Sequence, residues 1–562
     1  MTSNRAIGCM VALIVLFGSQ YRGVNTNGYV FAQNQLPPMP DQEQIEVLTS
    51  GPVHEAFAEP VNLQTQTGLA APHQPPADIE EIPPTDRPQD DRFVWIPGYW
   101  GWDADRDDFI WVSACWRMGP PNMYWVPGYW TQVIDVQEVD RAGVDVRVGG
   151  LDVRVGGGTK AVETVSWEWV SGFWRQSDTR EIEYLPAPPA PMDLEPPGPP
   201  PTADNMWVPG CWYWDQGQYV RRPGYWLRQQ SDWIWSPSHY RWTPRGYVFE
   251  RGHWDYSLER RGVLFAPVYF PRSVYARPGY TYSPSIAIDI GVLTANLFIY
   301  PRYGHYYFGD YYDDAYRTRG IYPQFERERI HTWYDPIYTY DRWHHGRTDK
   351  RWEENQRREY DQRRSDKNLR PAHTYREMES RAANMPNTQR RDFELAKPLK
   401  TIVQRKSSPM KFKQIKPDAQ QKIARQATDV QKFRQERVKW ETTGSTDSKA
   451  TVRPPVEHKD TVISPRESKE PVTSHEEHKG SVVTPDETRP RSVSSREVRV
   501  TRPERVKIPS SPIVGKPKSW ISTEKGPPPR PADEQEHKAK VKDARKDKNK
   551  GKDKDKDKDN KN

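Results

Sequence analysis

A six-residue unit of the form Trp-Val-Pro-Gly-Tyr-Trp recurs nine times between residues 93 and 270, and it limits what this chain can fold into. The first residues of successive units are separated by 16, 14, 44, 38, 14, 14, 14 and 16 residues. The shorter spacings are too small for a helical-hairpin repeat and suit two short strands with their turns. Units 1 to 9 are Trp95–Trp100, Trp111–Trp116, Trp125–Trp130, Trp169–Trp174, Trp207–Trp212, Arg221–Trp226, Trp235–Tyr240, Phe249–Trp254 and Phe265–Phe270.

Aromatic residues alternate along the units, which is the pattern of a strand. The central Pro-Gly could form a type II turn, which needs a positive φ at the glycine. However, Ala114, Ser238 and Val268 occupy the glycine position in three units, and these residues tolerate a positive φ poorly. We therefore predict a bulge or strand corner at this point, and an all-β, aromatic-rich fold arranged as an antiparallel meander or a small barrel-like array.

Most repeat tryptophans are predicted to form a core shared between neighbouring units. One unit of about 14 residues buries too little apolar area to offset the entropy of ordering it. Trp102 and Trp214 lie just beyond their units, in the arms of the hairpins, and are predicted to be exposed and available to bind glycan. The predicted core tryptophans are Trp95, Trp100, Trp111, Trp116, Trp125, Trp130, Trp169, Trp174, Trp207, Trp212, Trp226, Trp235 and Trp254.

Composition divides the chain into an aromatic, acidic body and a basic tail. Of 23 Trp, 20 lie before residue 351, and the whole chain has 54 Pro and a mean hydropathy of -0.96. Residues 1–350 hold 30 Lys and Arg against 42 Asp and Glu, whereas residues 351–562 hold 53 against 34. We predict a signal peptide at 1–32, a disordered Pro/Gln-rich leader at 33–91, the repeat β region at 92–270 with insertions at 134–166 and 185–203, a Tyr-rich β extension at 271–345, charged and solvated helices at 346–440, and a long disordered basic tail at 441–562.

The N-terminus predicts export. Arg5 precedes an apolar run from residue 7 to residue 17, and Val30 and Ala32 suit a signal-peptidase site, although an uncleaved anchor is the alternative. No transmembrane span is expected after cleavage, so we place the protein in the periplasm, at the cell surface or outside the cell. Cys115 and Cys211 then remain; they either form one disulfide or are two small residues that replace Tyr in their units.

The units, of which Trp125-Val-Pro-Gly-Tyr-Trp130 matches best, resemble the WXXGXW (or YXWGXW) repeats of exported bacterial proteins. The resemblance covers about residues 93–270, a third of the chain. It implies export and a repeat architecture, and it supplies no catalytic residues to transfer. Units 6, 8 and 9 depart from the pattern, with Arg221, Phe249 and Phe265 in place of the first Trp.

No residue pattern in the chain predicts catalysis, a metal site or a cofactor. We therefore expect an exported, non-enzymatic structural or adhesive protein of the cell envelope, whose partners are envelope polymers or polysaccharide. A glycan-binding module that uses exposed Trp and Tyr is the alternative. A carbohydrate-active enzyme is a third possibility, but nothing singles out the two carboxylates that it needs. Nucleic acid is not expected as a partner, because the basic residues lie in a tail without interleaved aromatics.

Overall fold

A computed structural model describes residues 45–64, 67–141, 144–148, 151–155, 158–329, 332–405, 408–442 and 503–508. These residues form short strands in small, largely antiparallel sheets, together with helices. The predicted antiparallel pairing is confirmed. No sheet in these ranges closes on itself, so the barrel-like alternative is wrong for them.

Strands also form before the repeats, where a disordered leader was predicted. That prediction is wrong for residues 45–64 and 67–91, and residues 33–44, 65–66 and the predicted signal peptide lie outside the described ranges. Val53, Ala56 and Phe57 are at most 1% exposed, so this segment contributes to the core in spite of its polar composition. The strands are β1 Glu46–Val47, β2 Gly51–Pro52, β3 Val61–Asn62, β4 Ala70–Ala71, β5 Glu80–Glu81 and β6 Asp86–Pro88.

The repeat region consists of strands that stop and restart within each unit. Positions 3 and 4 of a unit, called the gap below, separate two strands in each of units 1 to 8. The strands are β7 Phe93–Ile96, β8 Tyr99–Asp103, β9 Asp108–Val112, β10 Cys115–Met118, β11 Met123–Val126, β12 Tyr129–Arg141, β13 Val144–Val148, β14 Leu151–Val155, β15 Gly158–Val170, β16 Phe173–Gln176, β17 Glu181–Leu185, β18 Asn205–Val208, β19 Cys211–Asp215, β20 Gln218–Arg222, β21 Tyr225–Arg228, β22 Trp233–Ser236, β23 His239–Thr243, β24 Gly246–Glu250, β25 His253–Tyr256, β26 Gly262–Leu264 and β27 Val268–Tyr269.

Units pair two by two as antiparallel hairpins that are interrupted at the gaps. In units 1 and 2, β7 pairs with β10 and β8 pairs with β9. The same arrangement joins units 3 and 4, units 5 and 6, and units 7 and 8. Unit 9 adds to the first hairpin, because β26 pairs with β10 and β27 pairs with β9.

The first predicted insertion, 134–166, is a long β-ribbon within the hairpin of units 3 and 4. β12 and β15, of 13 residues each, pair along their whole length, and β13 and β14 continue the same register. The insertion therefore lengthens both strands equally and leaves the pairing of the two units unchanged.

The predicted Tyr-rich β extension is only partly β. Strands β28 Thr281–Tyr282, β29 Ile286–Ile288, β30 Leu297–Tyr300, β31 His305–Phe308, β32 Tyr322–Pro323 and β33 Trp333–Tyr334 alternate with helices. The longest helix begins after Asp335, whose carboxylate accepts a hydrogen bond from the backbone N–H of Tyr338 at 2.9 Å. The helices in and before this region are α1 Leu258–Arg261, α2 Arg272–Tyr275, α3 Ile290–Leu293, α4 Asp314–Thr318 and α5 Pro336–Gly346.

Helices follow as predicted, but the last of them is not solvated. Arg437 and Glu441 on this helix are 0% exposed, because its inner face packs on the repeat region. The helices are α6 Trp352–Ser365, α7 Tyr375–Ala382, α8 Asn387–Phe393, α9 Leu399–Val403 and α10 Pro417–Thr442, with strands β34 Ala396–Pro398 and β35 Phe412–Gln414 between them. None of the helices that the structure describes is both long enough and apolar enough to cross a membrane.

The predicted disordered tail lies mostly outside the described ranges, at 443–502 and 509–562. One part of it forms a strand, β36 Glu504–Lys507, which pairs antiparallel with β17. The prediction of disorder is wrong for this segment. Ile508 is 7% exposed beside Ile182 and Tyr184, which explains why the strand adds at this edge.

The N-terminal strands pair with distant parts of the chain. β1 pairs with β27, β2 with β31, β3 with β33, and β4 with β15. Such pairs join segments more than 90 residues apart, so no local pattern indicates them. The largest core cluster draws residues from the N-terminal segment, the repeats, the Tyr-rich region and α10.

Candidate functional site

Each hairpin of units is held by tryptophans that face each other across the strands. The first Trp of one unit lies opposite the last Trp of its partner, with ring centroids 5.0 to 5.5 Å apart and steeply inclined planes. The pairs are Trp95 with Trp116, Trp100 with Trp111, Trp125 with Trp174, Trp130 with Trp169, Trp207 with Trp226, and Trp235 with Trp254. Of the predicted core tryptophans, Trp130, Trp207, Trp212 and Trp226 are only partly buried.

The gap glycine makes room for an indole of the partner unit. A Cβ added to Gly172 would lie 2.3 Å from a ring carbon of Trp125, far inside contact distance. These glycines do not have a positive φ, which excludes a type II turn and agrees with the prediction of a bulge or strand corner. The contact recurs in four units: Trp111 lies against Gly98, Trp169 against Gly128, Trp125 against Gly172, and Trp207 against Gly224.

Two buried carboxylates from the N-terminal segment bind the backbone N–H groups of the gaps. Glu81 accepts from Gly98 at 2.7 Å and from Ala114 at 3.0 Å, which closes units 1 and 2. Burial raises the pKa of Glu81 to about 7, against the opposing effect of these hydrogen bonds.

The second carboxylate, Glu55, serves units 3 and 4. It accepts from the N–H groups of Gly128 at 3.3 Å and Gly172 at 3.1 Å, and from the indole of Trp169 at 3.1 Å. A strand corner leaves such N–H groups outside any ladder, so they need acceptors from elsewhere.

The other two hairpins use different acceptors. In units 5 and 6, Asp193 of the Pro-rich insertion accepts from the N–H of Gly224 at 3.2 Å and from Arg221 at 2.8 Å. In units 7 and 8, the hydroxyl of Ser238, itself a gap residue, accepts from the N–H of Gly252 at 2.7 Å.

Gap carbonyls are bound mainly by arginines of α10. Arg437 donates to Pro127 at 2.8 Å and to Ser171 at 3.0 Å, and Arg434 donates to Gly98 at 3.2 Å. His54 adds a contact of 3.1 Å to the carbonyl of Pro97. Burial lowers the pKa of His54 to about 3, so the ring is neutral: Nε2–H donates to Pro97, and Nδ1 accepts from the N–H of Ala56.

The buried Arg437 is balanced by Glu441 one turn later. Their side chains are 3.0 Å apart, and Glu441 also accepts from the hydroxyls of Tyr129 at 2.7 Å and Tyr184 at 2.9 Å. A buried ion pair is stable only when its remaining hydrogen-bonding groups are satisfied, as they largely are here. This cluster fixes α10 to units 3 and 4.

A second buried ionic network lies beside the Glu55 gap. Arg241 contacts Glu59 and, at 2.6 Å, Glu250, while His239 lies 3.4 Å from Glu250. Burial raises the pKa of Glu59, whereas Glu250 keeps a lowered pKa because Arg241 and His239 outweigh its burial. Both carboxyl groups are paired with the one guanidinium of Arg241 inside the protein, which is the arrangement of a structural network.

One of the two predicted exposed tryptophans is buried. Trp102 is 6% exposed, because His73 and Phe109 pack against its ring. The prediction is wrong because the N-terminal segment, expected to be disordered, covers this arm. Trp214 is partly exposed, as predicted, and its ring packs on Tyr219 across the hairpin of β19 and β20.

The possible disulfide does not form. Neither Cys115, which is buried, nor Cys211, which is partly exposed, is part of a disulfide. Equivalent positions in their units do not bring them together, because they belong to different hairpins: Cys115 faces Ile96 and Leu264, and Cys211 faces Arg222. Burial raises the pKa of Cys115, which keeps its thiol protonated.

Units 5 and 6 carry the most accessible aromatic surface among the hairpins. Trp212, Trp214 and Tyr219 are partly exposed on one face of β19 and β20. Unit 6 begins with Arg221 instead of Trp, so Trp212 has a guanidinium rather than an indole opposite it. The Pro-rich insertion lies along this face.

No protein-family model, no curated protein and no solved structure matches this chain. Within the described ranges, no group of three or more His, Cys, Asp or Glu is arranged to hold a metal ion. The residues that organise the gaps were not found from the sequence: Glu55, Glu81, Asp193, Arg434 and Arg437. They lie outside the repeat units, and only their contacts with the gaps in the folded chain distinguish them from other charged residues.

Proposed function

We propose that the chain is an exported, non-enzymatic structural or adhesive protein of a cell envelope. The proposal rests on the role of the repeat residues in the structure, which is to pack the hairpins. Its tryptophans pair across the hairpins, its glycines seat those indoles, and its gap amides bind buried acceptors. The motif thus supplies an architecture, and surface segments are left to make contacts.

The basic tail is the proposed contact with anionic envelope polymers. Residues 509–562 hold 16 Lys and Arg against 10 Asp and Glu. Attraction between such a segment and a polyanion weakens as salt increases.

Fractionation of cells that express the chain tests this proposal. We expect a mature protein that begins at Gln33, found in the envelope fraction and released as salt rises from about 0.05 to about 1 M. A chain that lacks residues 509–562 should be released at lower salt. A protein that keeps residues 1–32 and stays in the cytoplasm would contradict export, and unchanged retention of the shortened chain would remove the role of the tail.

Glycan binding is a second candidate, favoured by the partly exposed Trp214 and Tyr219 on one face of β19 and β20. Aromatic rings of this kind stack on sugar rings. Trp214→Ala should then reduce retention on a neutral polysaccharide column, whereas Val220→Ala, which alters a 40% exposed residue on the opposite face, should not. Equal retention of the two variants would exclude Trp214 from glycan binding.

A further inference from the structure

The aromatic face of units 5 and 6 holds a proline-rich segment of the chain itself, here called the resident segment, residues 186–193. The hydroxyl of Tyr219 donates to the carbonyl of Pro186 at 2.5 Å. The indole N–H groups of Trp212 and Trp207 donate to the carbonyls of Ala190 and Asp193, each at 2.9 Å. Three aromatic donors therefore bind three carbonyls of one segment.

The sequence and the burial of this segment resemble those of a polyproline ligand. Ala190 and Asp193 are three residues apart, but the positive φ of Asp193 places its carbonyl outside a polyproline II helix, so only the residues before Asp193 can have that form. Pro188 and Pro191, also three apart, are partly buried, while Pro189 is exposed. Pro-rich ligands bind aromatic grooves in this way because their extended form loses little entropy on binding.

The segment ends in an acidic anchor. The carboxylate of Asp193 binds Arg221 at 2.8 Å and the gap N–H of Gly224 at 3.2 Å. Asp193 has a φ of 50°, a left-handed conformation that directs its carboxylate into the gap. The bound sequence is therefore Pro-Pro-x-Pro-x-Asp, with Pro188 as its first residue and Asp193 as its last.

The same sequence pattern occurs in the tail, as Pro528-Pro-Arg-Pro-Ala-Asp533. It keeps the three prolines and the acid at the same spacing. We propose that the aromatic face of units 5 and 6 is a polyproline-binding site that accepts either the resident segment or the tail segment Pro528–Asp533. With the tail segment bound, the basic C-terminus is held on the repeat region; with the resident segment bound, it is released.

The tail segment can reach this face. Ile508 donates its backbone N–H to Arg180 at 3.0 Å, so the described part of the tail ends beside β17. The resident segment begins directly after β17, which ends at Leu185. The 19 residues between Ile508 and Pro528 can extend to about 60 Å.

Binding of a labelled peptide with the sequence of residues 525–536 tests the proposal by fluorescence anisotropy. The main protein is the full chain with residues 187–195 replaced by Gly and Ser, and with Pro528→Ser, Pro529→Ser, Pro531→Ser and Asp533→Asn in its tail. We expect saturable binding to this protein. Binding should be at least about tenfold weaker both to the unaltered chain and to a protein that keeps its own tail segment, because tethered segments compete at high effective concentration.

Substitutions on the aromatic face check the binding mode. In the main protein, Tyr219→Phe and Trp212→Phe each remove one donor and keep an aromatic ring, so each should weaken binding about fivefold. Tyr213→Phe removes a hydroxyl from the opposite face of β19 and should have no effect. Absence of binding, or binding that is the same in all three variants, would overturn the proposal. So would binding of a neutral polysaccharide, instead of the peptide, that is lost in the Phe variants.

A milder variant covers the case in which replacement of residues 187–195 unfolds the chain. Asp193→Asn and its control Glu195→Gln are each made in a chain whose only other changes are the four tail substitutions, and Asp193→Asn weakens the resident segment at Arg221 and Gly224. The peptide should then bind more tightly than it binds to Glu195→Gln, which removes a carboxylate two residues further along the same segment. Equal affinities for the two variants would contradict exchange at this site.

Discussion

At the scale of single residues, tryptophan and glycine in the repeat have complementary roles. The first Trp of a unit pairs with the last Trp of its partner and also lies on the partner's gap glycine. Unit 6 shows that the glycine gap of one unit depends on the first residue of its partner. Unit 6 begins with Arg221 instead of Trp, and the gap of unit 5 is occupied by Asp193 instead of an indole. A five-residue spacing between tryptophans is what aligns both contacts in an antiparallel pair.

Gly172→Ala should destabilise the protein by about 2 to 3 kcal/mol, because the new methyl group would overlap Trp125 and the carbonyl of Val126 in a packed core. The free energy of unfolding in urea measures this loss. Gly198→Ala is the control, since a Cβ there meets no atom within 4 Å, and it should change the free energy by less than about 0.5 kcal/mol. Equal effects of the two substitutions would show that the gap has room for a side chain.

Glu81 should make the protein less stable as pH rises from about 5 to about 8. The pKa of Glu81 is raised to about 7 in the folded protein and is near 4.5 in the unfolded chain. Between these values the folded protein holds a proton that the unfolded chain has lost, so stability falls as pH rises. Unfolding of Glu81→Gln, which cannot ionise, should lack this contribution of up to about 3 kcal/mol. The difference between the two proteins in urea melts at pH 5, 6, 7 and 8 isolates Glu81 from other buried acids. A constant difference would mean that Glu81 does not titrate there.

At the scale of elements, α10 shows that a helix with charged residues on its inner face can be buried without a sequence pattern that indicates it. The composition of residues 346–440 predicts charged, solvated helices, and α10, Pro417–Thr442, is the last of them. Its inner face continues from Ala427 and Val430 through Arg434, Arg437 and Glu441, all buried. Because charged residues are usually solvated, such a stripe predicts an exposed helix. The charges are buried because they bind gap carbonyls and tyrosine hydroxyls, which no periodicity indicates.

The ion pair of α10 should show strong coupling. Glu441→Gln leaves Arg437 buried without its counter-charge and should lower the free energy of unfolding by about 3 kcal/mol. In a double-mutant cycle with Arg437→Met, we expect the double variant to be about 2 kcal/mol less destabilised than the sum of the single variants. Asp429→Asn is the control, because Asp429 and its partner Lys432 both have exposed side chains. It should change the free energy of unfolding by less than about 0.5 kcal/mol. A coupling energy near zero would contradict the role given to the pair.

At the scale of the whole molecule, the repeats are enclosed by the segments on either side of them. Glu55 and Glu81 supply acceptors from the N-terminal side, and Arg434 and Arg437 supply donors from the C-terminal side. The sequence predicted the strands of the repeats, their antiparallel pairing and nine of the thirteen tryptophans assigned to the core. It did not predict this enclosure, since a carboxylate 117 residues from the amide that it binds leaves no local pattern.

A fragment of residues 92–345, which contains all nine units, should therefore not fold cooperatively by itself. Its gap amides in units 1 to 4 would lack their carboxylates, and the gap carbonyls would lack α10. Near-ultraviolet circular dichroism and urea unfolding should show a sharp transition for residues 45–508 and a broad one, or none, for 92–345. A sharp transition of the short fragment would contradict the enclosure as a condition of folding.

The enclosure also sets an order of events during synthesis. The N-terminal carboxylates emerge before any hairpin, so each gap in units 1 to 4 can receive its acceptor as soon as its two strands have formed. The donor for the carbonyl of Ser171 is Arg437, 266 residues later. Until that residue emerges, units 3 and 4 hold unpaired carbonyls that water or a chaperone can reach. The chain is thus expected to stay open through most of its translation, a state compatible with threading through an export channel, and to complete its core only when α10 arrives.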